Sequence, residues 1–196
     1  MRFRRPSEQQ DGFTLIELMV AAFLGVVVLS IVGGIMWSSS QAEGLVRNVT
    51  TATSAGQAVT NSLETGIRNS EYKPATTIPL TILTSGSDQM LVALVAQNGA
   101  TVSAKCEAWY YDATNKVIRY TTSASAIALP NAATLATWTK LSTGVGLVTG
   151  SSTVFSLRGT TGINFAFQED AGKDPAVAFQ STVTSRTGVT GSVACF

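Results

Sequence analysis

The chain contains no histidine, only two cysteines, and few charges for its length: 13% of its 196 residues are Asp, Glu, Lys or Arg. Without histidine, neither a Ser-His-Asp triad nor a Cys-His pair can be assembled, and the commonest metal ligand is missing. Cys106 and Cys195 lie far apart in sequence, which excludes the close CxxC spacing of zinc sites. No phosphate-binding loop or dinucleotide fingerprint occurs, because the 17 glycines are scattered among turn-like segments. A formal net charge of +1 gives no support to general polyanion binding. An enzyme is therefore not expected, and neither is a cofactor.

What the chain does have is one long apolar run. From Leu18 to Met36 the only polar residue is Ser30, and the run holds three glycines and no proline. That is close to the ~20 residues a helix needs to cross a bilayer. Arg2, Arg4 and Arg5 precede the run, which predicts a cytoplasmic N-terminus by the positive-inside rule. Trp37 follows at the position of an interfacial anchor. A secretory signal peptide is the rival reading, with "GGIMWSSS" as its cleavage region. The run is long for a signal core, and that reading gives no reason for the acid Glu17 at its start. A carboxylate at the centre of a membrane helix costs on the order of 2.5–3.5 kcal/mol, and less near an interface. Glu17 could also snorkel to the headgroups.

The residues "GFTLIELMVA", Gly12 to Ala21, closely resemble the processing and assembly motif of type IV pilins and type II secretion pseudopilins. The resemblance implies that a membrane peptidase cuts between Gly12 and Phe13, removing a basic leader of residues 1–12. It implies N-methylation of Phe13 and an assembly role for Glu17, the fifth residue after the cut. Cleavage would create an ammonium at Phe13, where a helix N-terminus is already partly positive. Glu17, one turn on, could offset its own amine or that of a neighbouring subunit. Three of the 13 basic and two of the 12 acidic side chains precede Phe13, so the processed chain would be neutral in its side chains.

After Trp37 the pattern becomes amphipathic. Leu45, Val49, Ala52, Val59, Leu63 and Ile67 recur at helical steps with polar residues between them. Helix is expected to continue to about Arg68 or Asn69 and to stop before Lys73-Pro74. Its stripe would pack under a β-rich domain, or alternatively form a coiled-coil face. Strand signals begin at Ile78: "IPLTILT" and "QMLVALV" around "SGSD", "KCEAWYYD" and "KVIRYTT" around "DATNK", "STVFSLR" and "INFAFQ" around "GTTG", then "AVAFQSTV". The segment "ASAIALPNAATLAT" lacks a clear period and reads as loop. The expected fold is α+β: a long N-terminal helix packed against one mostly antiparallel sheet or two small ones. The segments are a leader 1–12, a transmembrane assembly helix 13–37, its amphipathic continuation 38–70 and an exported domain 71–196.

In an exported chain Cys106 and Cys195 most simply form a disulfide, with two buried free thiols as the alternative. "QEDAGKD" places Glu169, Asp170 and Asp174 close together, a weak calcium candidate whose spacing is not that of an EF-hand; a solvated hairpin turn is the plainer reading. Trp109, Tyr110, Tyr111, Lys116, Arg119 and Tyr120 interleave aromatic and basic residues, as a single-stranded nucleic-acid face would, or as a half-buried hairpin would. The hairpin and the later "WTKLSTGV" are similar to the larger minor subunits, the J-type pseudopilin and the W-type minor pilin. Major pilins often carry a proline in the membrane helix, and this chain has none. The resemblance thus implies a minor structural subunit of a type IV pilus, a secretion pseudopilus or a competence system. Its partners would be other pilins, the peptidase and the membrane, with DNA binding as the alternative.

Overall fold

The computed structural model describes residues 14–70, 80–97, 103–185 and 195. One helix, α1, spans Leu15–Arg68. Contacts divide the chain into two units, Met1–Val46 and Arg47–Phe196. In the first, the described residues are helical from Leu15 onward and exposed throughout. Leu45 belongs here and is 45% exposed, so the buried stripe is shorter than the sequence pattern suggests.

In the second unit the buried face of α1 is Ala52, Gly56, Val59, Leu63, Gly66 and Ile67. These steps of three and four set one face of a helix toward a core. The strands are β1 (Leu80–Ser85), β2 (Asp88–Gln97), β3 (Ser103–Asp112), β4 (Val117–Ser123), β5 (Thr139–Thr143), β6 (Val145–Gly146), β7 (Phe155–Arg158), β8 (Gly162–Ala171) and β9 (Asp174–Thr184). A short helix, α2 (Ala132–Ala136), precedes β5. Among the described residues every strand pairing is antiparallel. Strands β1 to β5 form one sheet in chain order; in the other, β6 and β7 pair with β8, and β9 also pairs with β8.

The chain passes from one sheet to the other at Gly144, whose φ of 87° is a left-handed conformation that suits glycine. The N–H groups of Gly144 and Val145 both donate to the Lys116 carbonyl, at 2.8 and 2.9 Å. Gln89 of β2 also ties the sheets together: its Oε1 accepts from the N–H groups of Val154 and Phe155.

Strands β2 and β3 are covered on both faces, as the unbroken apolar run in "MLVALV" permits. On one face Leu91, Ala93, Val95, Trp109 and Tyr111 join Val59, Leu63 and Ile67 of α1 and Phe155, Phe165 and Phe167 of the second sheet. On the other, Met90, Val92, Cys106 and Tyr110 lie under Ile127, Trp138 and Cys195. Much of that cover comes from the segment expected to be loop. Asn131 there caps α2 by accepting the Thr134 N–H at 2.9 Å, and Trp138 meets Tyr110 edge-on with ring centroids 6.2 Å apart.

Cys106 and Cys195 are joined by a disulfide that closes a sequence separation of 89 residues. The Ile127 N–H donates to the Cys195 carbonyl at 3.1 Å, so the same point is held twice.

Strand β9 runs beside α1. Asn48 Nδ2 donates to Asp174 Oδ2 at 3.0 Å, and Ser181 Oγ donates to Glu64 Oε1 at 3.3 Å. The two helix positions are about 24 Å apart at 1.5 Å per residue. The two strand positions are about 23 Å apart at 3.3 Å per residue. The elements therefore stay in register over that length. Between these contacts Phe179 lies over Gly56, and just beyond Glu64 the Trp109 indole of β3 lies over Gly66.

Three stability predictions come from these contacts and from the disulfide. A Cβ at Gly66 would overlap the Trp109 ring and lie 2.8 Å from a Glu107 oxygen. Gly66→Ala should destabilise by about 1–3 kcal/mol from overpacking, offset by up to about 1 kcal/mol of helix propensity. Gly44→Ala, with nothing within 4 Å of its Cβ, should leave the melting temperature unchanged or raise it. Cys106→Ala/Cys195→Ala should cost roughly 2–5 kcal/mol in urea unfolding, because the released tail no longer restrains the unfolded chain.

Candidate functional site

The start of α1 is built by two residues. Thr14 Oγ1 accepts the Glu17 N–H at 3.3 Å, and Glu17 Oε2 accepts the Thr14 N–H at 3.2 Å. The Thr14 hydroxyl also donates to Glu17 Oε2 at 3.1 Å. This reciprocal pair is a capping box, with Thr14 at the N-cap and Glu17 three residues on. It satisfies two of the backbone donors that a helix start leaves without partners. The first backbone bond of the ladder, from the Leu18 N–H to the Thr14 carbonyl, is 3.2 Å long. Glu17 Oε1 has no partner among the described residues.

Beyond this cap the helix is long and apolar enough to cross a membrane, with a mean hydropathy of 2.7 in its most apolar window and none of that window buried. Ser30, the polar residue within the run, returns its hydroxyl to the Val26 carbonyl at 2.8 Å, which removes an unsatisfied donor from an apolar setting. Trp37 is 72% exposed. Gly12, Phe13 and the rest of the expected leader lie outside the described residues.

The weak calcium candidate is not assembled. Glu169 is 1% exposed and its Oε2 accepts from Ser142 Oγ at 2.7 Å. Asp170 points outward and caps the following turn through the Gly172 N–H, while Asp174 is taken by Asn48. Among the described residues no cluster of three His, Cys, Asp or Glu could hold a metal ion. The solvated-turn reading is also corrected for Glu169, which continues the buried alternation of Ile163, Phe165 and Phe167 along β8. Burial pushes its carboxyl upward from the ordinary value, and the Ser142 hydrogen bond partly opposes this.

The nucleic-acid motif loses its aromatic platform. Trp109, Tyr110 and Tyr111 are buried on both faces of β3, because one face packs on α1 and the other under Trp138. Trp109 Nε1 donates to Ser62 Oγ at 2.9 Å. Tyr110 Oη donates to Asp88 Oδ2 at 2.7 Å, and Arg119 Nη1 donates to the Trp138 carbonyl. Lys116 sits at φ 55° in the hairpin turn. Nothing is left on these aromatic rings for a base to stack on. Tyr120, half-buried, has its hydroxyl pushed upward by burial and by the Glu107 carboxylate, whose other near neighbour is Lys105 Nζ at 3.0 Å.

Sequence reasoning missed the capping partner. "T-L-I-E" is the capping-box pattern, yet Thr14 was not singled out beside Glu17.

The features together define a capped, membrane-length apolar helix continuous with a helix that packs on a disulfide-closed β unit. Residues 9–33 match the prokaryotic N-terminal methylation motif, which is typical of the precursors of type IV pilins and pseudopilins. The match begins ahead of Gly12 and takes in Phe13, Thr14 and Glu17. No curated protein and no solved structure matches the chain.

A pH prediction follows for Glu169. With its folded value raised above about 4.5, the folded state holds the proton more tightly than the unfolded state. Stability should fall as pH rises from about 4.5 through the raised value, then level off. Glu169→Gln should flatten this decline, as read by melting temperature against pH from 4 to 8.

Proposed function

We propose that this chain is a pilin-like structural subunit of the minor kind. It is held in the membrane with its N-terminus in the cytoplasm and its β unit outside, and it enters a type IV pilus or pseudopilus after its leader is removed between Gly12 and Phe13. The observation that carries the reading is the acid Glu17, capped to Thr14 at the head of an exposed apolar helix, inside the matched methylation motif. A carboxylate and a new ammonium are each costly in a low-dielectric helical bundle, and pairing them between subunits removes both costs and fixes a register. Glu17 Oε2 serves its own helix, so Oε1 is the atom that would face the Phe13 amine of a neighbour.

The β unit supports a structural role. Its polar clusters are spent on internal bonds: Asp88 on Tyr110 and Ala113, Asp112 on Asn115, and Asp174 on Asn48. Its partners in this reading are other pilin-like subunits, the leader peptidase and, before assembly, the bilayer.

The test is Glu17→Ala expressed beside the chain's own assembly machinery. Removing one member of a buried charge pair costs about 3–5 kcal/mol, so incorporation into sheared filaments or cross-linked subunit complexes should drop on the order of a hundredfold or more. Incorporation equal to wild type would remove the proposed mechanism.

A further inference from the structure

We infer that a cleft between α1 and the end of β8 is a docking site for one lysine side chain of a neighbouring subunit, whose ammonium reaches the unpartnered oxygen of Glu169. That the guest comes from a neighbouring subunit rests on the functional reading above; the chemistry of the cleft does not.

The cleft has a volume of about 290 Å³. One wall is α1 at Thr51, Ala52 and Ala55, and the other is β8 at Glu169, Asp170 and Ala171. Glu169 shares its face of β8 with Phe167. The Phe167 ring stacks on Phe179 with centroids 5.3 Å apart, and Phe179 lies over Gly56 of α1. Strand parity therefore turns the Glu169 carboxyl toward the helix, where Ala52 stands one turn before Gly56. Oε2 is drawn aside to Ser142 Oγ at 2.7 Å. Oε1 is buried without a partner among the described residues, on a side chain that is 1% exposed. A carboxylate oxygen that has lost water without gaining a donor is costly. The same desolvation pushes the Glu169 carboxyl upward, and an opposite charge offsets it.

The lining selects the guest. Among its described residues the carboxylates of Glu169 and Asp170 outnumber one guanidinium, that of Arg47, which favours a cation. No three acids, histidines or cysteines come together among the described residues to hold a metal, so the cation is organic. Ala52, Ala55 and Ala171 are small and apolar, as packing of the four-carbon stem of lysine requires. Ser142 leaves one carboxylate oxygen open. The two-point fork of arginine finds half its match there, whereas an ammonium is a point charge satisfied by one acceptor.

The probe is n-butylammonium chloride, a lysine side chain without its backbone. It is added to the full-length chain in a neutral detergent at mildly alkaline pH, with sodium chloride as the ionic-strength control. At a tenfold excess over its dissociation constant it should raise the melting temperature by about 3–6 °C. Methylguanidinium should give a smaller rise. Glu169→Gln keeps the shape and removes the charge; Ala55→Leu fills the apolar wall and leaves the Glu169–Ser142 bond in place. Both variants should lose the rise. A wild-type rise no larger than that with sodium chloride would overturn the inference, as would one equalled by methylguanidinium or retained by either variant. The second readout is incorporation of Glu169→Gln into sheared filaments or cross-linked subunit complexes. It should fall roughly tenfold or more, as for a lost hydrogen bond between charged groups. Wild-type incorporation of this variant would overturn a neighbour's lysine as the guest. A wild-type chain that never enters an assembly would overturn the functional reading itself, which separates the two failures.

Discussion

A carboxylate at the head of an apolar helix has to be satisfied, and that requirement shapes the N-terminal part of this chain. Glu17 resolves it locally by turning back on Thr14, taking the Thr14 N–H and hydroxyl on a single oxygen. The arrangement lowers two costs at once, the desolvated acid and the open donors of the first turn. The other Glu17 oxygen, Oε1, has no partner among the described residues. A residue in that state suits a role in which a second subunit completes the pairing.

Packing of the helix on the β unit depends on a different constraint, the closeness that glycine permits. Phe179 and Trp109 press onto α1 where Gly56 and Gly66 offer no side chain, and Val59, Leu63 and Ile67 are fully buried beside them. Two rings thereby reach the helix backbone from two sheets. Strand β9 keeps step with the helix from Asn48 to Glu64. The disulfide acts on the opposite face of the first sheet, where Cys195 and Trp138 close the second cluster. The β unit is thus fastened from both sides, and its sheets are joined internally by Gln89 and by the Ser142–Glu169 bond.

Much of this was legible in the residues. The helix end at Arg68 followed from the last turn of the stripe and the proline beyond it, and the β3–β4, β1–β2 and β7–β8 hairpins followed from alternation interrupted by turn residues. Leu45 shows the limit of periodicity: it fits the stripe by spacing, yet it lies ahead of the unit that could bury it. Trp109 and Tyr111 point to one face of β3 and Tyr110 to the other, and only tertiary packing reveals that both faces are covered. Read alone, such a strand resembles an exposed aromatic ladder. Glu169 was readable in principle, since it falls on the same parity as Ile163, Phe165 and Phe167, but charge outweighed parity in the reading. The division into two sheets depends on Gly144, whose left-handed conformation has no periodic signal. Of the candidate site, the acid was legible because a charge stands out in an apolar run. Thr14 was not, because a hydroxyl beside a helix start is common.

The account's central claim is that the chain is a precursor whose assembly chemistry is created by cutting ahead of Phe13. Intact-mass measurement of the protein extracted from its native membrane tests this most directly. The account predicts loss of residues 1–12 and one added methyl on the new N-terminal Phe13. A mass retaining Met1 and the leader, or one cut after Trp37, would contradict it.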